Sequence, residues 1–190
     1  MNTTLLFTTA VTIALAFIGY LATYLNNLRL AQRKERLERV NRQLGELYGP
    51  LFALTQASNR AWTAFRSKYR PGQAFFDGVT TPSEDELKAW RLWMTTIFMP
   101  ANSRMYELVL SKSDLMIESR MPTCLLDLCA HVASYQTVMA RWEQNDYTEH
   151  VALLEYPTES LTEYVSHAFE QLKGEQQRLL GQKTGTPDQY

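Results

Sequence analysis

The first 28 residues contain no Asp, Glu, Lys, Arg or His, and the next fourteen contain six Lys and Arg. The apolar run within that stretch, residues 5 to 25, is long enough at about 1.5 Å per helical residue to cross a hydrocarbon core of roughly 30 Å. It predicts a transmembrane helix. Arg29, Arg33, Lys34, Arg36, Arg39 and Arg42 oppose only Glu35 and Glu38, a net charge of +4. A basic excess beside a span stays on the cytoplasmic side. The expected topology is therefore single-pass, with the N-terminus outside and the C-terminal domain cytoplasmic. A cleaved secretory signal would place basic residues before a shorter apolar core. Here Met1-Asn2-Thr3-Thr4 carries none and the charge follows the run, so a retained anchor is expected. The threonines near its start can bond back to helix carbonyls, and Tyr20 and Tyr24 suit the headgroup level.

Beyond the collar, residues 43–190 hold 13 Lys and Arg against 18 Asp and Glu, a net charge of −5. An acidic body lacks the basic face that phosphate backbones require, which argues against nucleic acid as a partner. Tryptophans at 62, 90, 93 and 142 supply large area for one buried core. Cys124 and Cys129, the only cysteines, lie about 140° apart around one predicted helix, so neither a bridge nor a zinc knuckle fits them.

Apolar spacing of three and four recurs along the chain and strand-like alternation does not, which predicts an all-α fold. The division expected is a transmembrane anchor (1–28), a basic juxtamembrane helix (29–42), a cytoplasmic antiparallel helical bundle (43–181) and a disordered tail (182–190). Leu37, Val40, Leu44, Leu47, Leu51 and Leu54 form a coiled-coil or bundle seam. It keeps phase across Gly49-Pro50, so one long kinked helix is expected. Trp62, Phe65 and Tyr69 complete its face. Residues 70–82, with Pro71-Gly72, Asp77-Gly78 and Pro82, read as a loop holding Phe75 and Phe76, either a plug on the bundle or an exposed contact. Ser83 with Glu84, Asp85 and Glu86 starts the second helix through a capping box, and Pro100 perturbs it. A third helix begins near Pro122, taken as a first-turn proline. It carries the stripe Leu125, Leu128, Val132, Tyr135, Met139 and Trp142, and Asn145-Asp146 ends it. Val151–Leu154 reads as a connector with a turn of helix. Ser160 and Glu163 suggest a second capping box for a last helix with the face Leu161, Tyr164, Val165, Ala168, Leu172 and Leu179.

Two carboxylate–histidine pairs at helical spacing, Asp127 with His131 and Glu163 with His167, have the arrangement that builds metal centres inside bundles. Orientation opposes it. At 100° per residue His131 lies about 70° and Asp127 about 110° from the centre of their apolar stripe, and the second pair lies still further from its own, which places all four toward water or a flank. No nucleophile elbow, phosphate-cradling glycine loop, dinucleotide fingerprint or zinc-protease signature occurs. No catalytic, cofactor-binding or metal residue is therefore assigned, and no cofactor is expected. The function expected is a membrane-tethered helical interaction or scaffold module. The alternative is a small membrane-bound enzyme or metal-binding bundle using His131 or His167.

The order of single span, basic helix, Leu47-Tyr48-Gly49-Pro50-Leu51, Ala140-Arg141-Trp142-Glu143 and Tyr156-Pro157 before a last amphipathic helix resembles a set of uncharacterised bacterial single-span membrane-anchored helical proteins. The resemblance covers nearly the whole chain and implies a bacterial inner membrane, with no activity, cofactor or site attached. The partners expected are the lipid bilayer, another protein and, through Leu37, Val40, Leu44 and Leu47, a second copy of the chain.

Overall fold

Pro50 and Pro100 shape the two longest helical paths of the chain. A proline inside an α-helix lacks the amide donor and presses its ring on the carbonyl four residues back. The computed structural model, which describes residues 3–72, 75–76 and 81–181 with side chains from residue 7, meets this with a widened turn before each proline. Helix α1 (Thr3–Arg42) passes through a π turn (Gln43–Tyr48) into α2 (Gly49–Tyr69). The Gly49 amide donates to the Leu44 carbonyl, five residues back. Helix α3 (Glu84–Trp93) passes through a second π turn (Met94–Phe98) into α4 (Met99–Ser111), and the Met99 amide donates to Met94 in the same way. The kink expected at Pro50 is thus a π turn. Its extra residue per turn aims neighbours inward together: Leu47 and Tyr48 are both fully buried, as are nearly Phe98 and Met99.

After a 3₁₀ turn (Ser113–Leu115) come α5 (Thr123–Glu143) and α6 (Thr158–Leu180). The described residues are mainly helical and contain no strand. Pro122 lies just before α5 with extended backbone, one residue earlier than its expected first-turn place. Asn145 takes a left-handed conformation past the end of α5 (φ 61°), where a short polar side chain is tolerated. The capping box expected at Ser160 does not form: α6 begins at Thr158, and the Ser160 hydroxyl, already within its first turn, lies 3.5 Å from the Pro157 carbonyl. Ser83 does form the box, with its amide on Glu86 Oε2 at 2.6 Å and its hydroxyl accepting from the Glu86 amide at 3.3 Å. The connector at Val151–Leu154 contains no helical turn; the carbonyls on either side of it, His150 and Glu149 before it and Leu154 at its end, are bound by side chains of other elements, as described below.

The core is continuous from Val40 to Leu172. On α5 it takes Leu125, Leu128, Val132, Tyr135, Val138 and Trp142, so Val138 replaces the expected Met139, which is half-buried. At the far end Phe65 is fully buried among Tyr69, Phe75, Trp93, Trp62 and Trp90, with ring centroids 4.9 to 5.8 Å away. Phe75 is therefore the plug and Phe76 lies at its exposed edge. Arg70 fixes that plug from below: its Nη1 donates to the Phe75 carbonyl at 3.0 Å, and its Nε lies 3.6 Å from Glu86. Asp77-Gly78 and the tail from residue 182 lie outside the described residues.

Candidate functional site

The polar side chains that join distant parts of the chain concentrate along the seam of α1 and the first π turn with α6. At its N-terminal end Arg33 donates from Nε and Nη2 to the Leu179 carbonyl, at 2.8 and 2.5 Å. The free carbonyls of a helix C-terminus carry partial negative charge, which a guanidinium complements. Gly181, just past α6, is left-handed (φ 74°), and a Cβ there would lie 3.6 Å from Arg33 Nη2. One turn on, Arg36 pairs with Glu175, and Gln176 donates to Asn41 at 2.7 Å. Val40, Leu44 and Leu47 are buried along this seam. Three of the four residues that the sequence offers to a second copy are thus covered within the chain, because α6 packs on α1 and on the π turn, and Leu37 is half-buried.

A hydrogen-bonded chain crosses the seam's middle. The Ile117 amide donates to the Tyr48 hydroxyl at 3.0 Å, the Tyr48 and Tyr164 hydroxyls are 3.0 Å apart, and Tyr164 donates to Glu118 Oε2 at 2.9 Å. The Tyr48 hydroxyl also lies 3.4 Å from Glu118 Oε2, so both hydroxyls converge on the one carboxylate oxygen, which only accepts. Burial pushes both tyrosines above the usual phenol range; the neighbouring Tyr48 and Glu118 raise Tyr164 further. Both remain protonated and serve as ties rather than as bases. Lys112 reaches Glu46 at 2.7 Å beside this cluster and, with Arg42, lowers its carboxyl.

The histidines do not converge. His131 is buried rather than facing water, because the connector folds over its flank: its Nδ1 lies 2.7 Å from the Leu154 carbonyl and its ring meets Tyr156 edge-on at 5.3 Å. A carbonyl only accepts, so Nδ1 carries the proton in that contact. Burial lowers the pKa of His131, which favours the neutral ring. Asp127, Glu163 and His167 are exposed. Among the described residues no group of three or more His, Cys, Asp and Glu is placed to hold a metal. A cleft of about 380 Å³ beside His131 is lined by Asp127, Glu155, Tyr156 and Ser160, and the Tyr156 hydroxyl is buried there without a hydrogen-bond partner. Cys124 and Cys129 are free thiols raised by burial, which makes them poor nucleophiles.

The connector itself is pinned by three aromatic donors. Trp90 Nε1 and the Tyr135 hydroxyl both donate to the His150 carbonyl, at 2.8 and 2.7 Å, and Trp142 Nε1 donates to Glu149 at 2.8 Å. Periodicity had placed these aromatics in the core, but it could not show that their polar ends hold a segment remote in the fold. Tyr164 and Glu118 were equally hidden, since a tyrosine on an apolar face and a loop acid carry no pairing signal.

From residue 7 up to the collar the picture differs. Phe7, Ile13, Leu15, Phe17, Ile18 and Tyr20 are exposed, within one apolar helix long enough to cross a membrane. Among the described residues the chain is all-α with one such helix, and its polar clusters join elements distant in sequence. No family model, curated protein or solved structure matches it.

Proposed function

We propose that the chain is a membrane-tethered helical interaction or scaffold module. The observation that supports this is the exposed apolar helix from Phe7, which runs without a break into Tyr69 and so into the core. An anchor rigidly continuous with a folded body holds that body at a set height above the bilayer. The remaining helices pack on it as an antiparallel bundle. Two contacts support that arrangement: Asn59, late in the long helix, meets Thr162 at the start of α6, while Arg33, early in it, meets Leu179 at the end. The basic collar supports a cytoplasmic bundle with the N-terminus outside, and the resemblance drawn from the sequence supports a bacterial inner membrane. The partner is another protein; a second copy pairing through Val40 and Leu44 would have to displace α6.

Protease added to spheroplasts tests the topology. A C-terminal tag should survive while the membrane is intact, and its digestion would overturn the orientation. Replacing the six basic residues by Gln should weaken the orientation bias. Proximity labelling from the C-terminus in the native cell, with the anchor-deleted chain as control, tests the scaffold reading. Loss of the same named neighbours on anchor deletion is expected; neighbours unchanged by it would count against tethering.

A further inference from the structure

The clamp of Arg33 on α6 lies within reach of the bilayer surface that the anchored reading requires. Residue 33 is eight positions past Leu25, which at 1.5 Å per residue is about 12 Å beyond the end of the apolar run. The headgroup layer occupies roughly 5–7 Å of that height. An arginine side chain, which can extend about 6 Å along its helix toward the interface, closes the remaining gap. Arg29, one turn closer, lies within the layer. Arg36, about 16 Å out by the same rise, falls short and has Glu175 as partner.

Arg33 differs from Arg36 in what it holds. Its planar fork donates twice to one backbone carbonyl, a neutral group. The same fork fits two phosphate oxygens, which carry full charge. Exposed Leu180 and the cation Arg178 sit beside it on the last turn of α6, so that turn has its own affinity for an anionic interface. We propose that Arg33 is a lipid-sensitive clamp. On a bilayer whose headgroup phosphates are each balanced by a choline it holds the C-terminus of α6, and on one bearing anionic phospholipid, whose phosphate has no such counter-cation, its guanidinium passes to that phosphate and releases the last turn. The contacts of Arg36 and Gln176 keep the rest of α6 in place.

The proposal rests on the anchored reading, and the test separates the two. Full-length protein is assembled into nanodiscs of phosphatidylcholine alone or of a mixture with phosphatidylglycerol. Co-elution with neutral discs tests the anchor, and failure to co-elute overturns that reading. Hydrogen exchange is then followed at residues 177–181, with 161–172 as internal reference. An anionic surface favours a unit positive charge by roughly threefold to fivefold, and exchange of the last turn should accelerate by that factor in the mixed discs. Arg33→Gln should exchange fast in both, with the reference segment still protected; Arg33→Lys, which keeps the charge and loses the fork, should fall between. Arg29→Gln should retain the lipid dependence. Co-elution with equal exchange in the two wild-type samples would overturn the clamp alone. So would lipid dependence that persists in Arg33→Gln, or inorganic phosphate reproducing the acceleration in neutral discs.

Discussion

At the residue scale, Gly49 has the sharpest steric assignment. A Cβ there would lie 2.4 Å from the Leu44 carbonyl oxygen, the acceptor of its own amide, whereas one at Gly45 meets nothing within 4 Å. Gly49→Ala should therefore cost about 1–3 kcal/mol through displacement of the π turn. Gly45→Ala, in the same turn, should gain roughly 0.5–1 kcal/mol from reduced backbone entropy. Urea unfolding of the two variants checks the contrast, and equal effects would remove the steric account. His131 sets a pH dependence. Its folded pKa is lowered by burial, so folded and unfolded chains are equally unprotonated well above pH 6.5 and differ below it. There the unfolded state takes up the proton first, and stability falls as pH drops from about 6.5 toward the folded value. His150 shifts in the same direction. His131→Asn, whose amide can donate to Leu154, should flatten part of the decline in melting temperature.

Among elements, the chain of Ile117, Tyr48, Tyr164 and Glu118 joins the first π turn, the segment before α5 and α6. Tyr164→Phe removes the 3.0 Å partner of the buried Tyr48 hydroxyl, leaving it the longer 3.4 Å contact with Glu118, and should destabilise by about 1–3 kcal/mol. Asn59→Ala, which removes the contact of α2 with Thr162 near the start of α6, should change exchange mainly at that end of the helix. Exchange that is faster along all of α6 in Tyr164→Phe would show that the tie holds the whole element. The aromatic node behaves differently, since its strength is area rather than hydrogen bonding. Phe65→Ala should cost about 3–5 kcal/mol, as a buried aromatic surrounded by rigid rings leaves a cavity that cannot collapse. Phe76→Ala, at the exposed edge, should cost under about 1 kcal/mol.

For the whole molecule, α6 lies against residues 33–41 and not only against the part after Gln43. A fragment of residues 31–181 should melt higher than one of residues 43–181, because the shorter piece loses the burial of Val40, worth about 1.5 kcal/mol or more, and the contacts of Arg33, Arg36 and Asn41 with it. Circular dichroism on both fragments reads this directly. Equal melting temperatures would make the collar a mere extension of the anchor.

Much of this was written into local pattern. Charge-free residues 1–28 beside a +4 collar, the 3-4 spacing through Leu161 and Leu172, and the acids after Ser83 are each short-range signals, and each of the three falls on a helix. The same rules failed where the decisive partner was distant. His131 lies off the centre of its stripe, so periodicity sets it toward water or a flank, and the connector around Leu154 returns from 23 residues away and covers that flank. Pro50 and Pro100 announce a disturbance, yet whether a helix bends or widens depends on the core it must fill, and here Leu47 with Tyr48 and Phe98 with Met99 fill it in pairs. The seam of Arg33, Arg36 and Glu175 has no local signature at all, since attraction between opposite charges constrains a sequence only where the fold has already brought them together. Helical class and elements thus follow from periodicities within a single segment. The covering of the α1 stripe, the burial of His131 and the two tyrosine ties come from packing between segments, where the free energy depends on neighbours that adjacent residues do not encode.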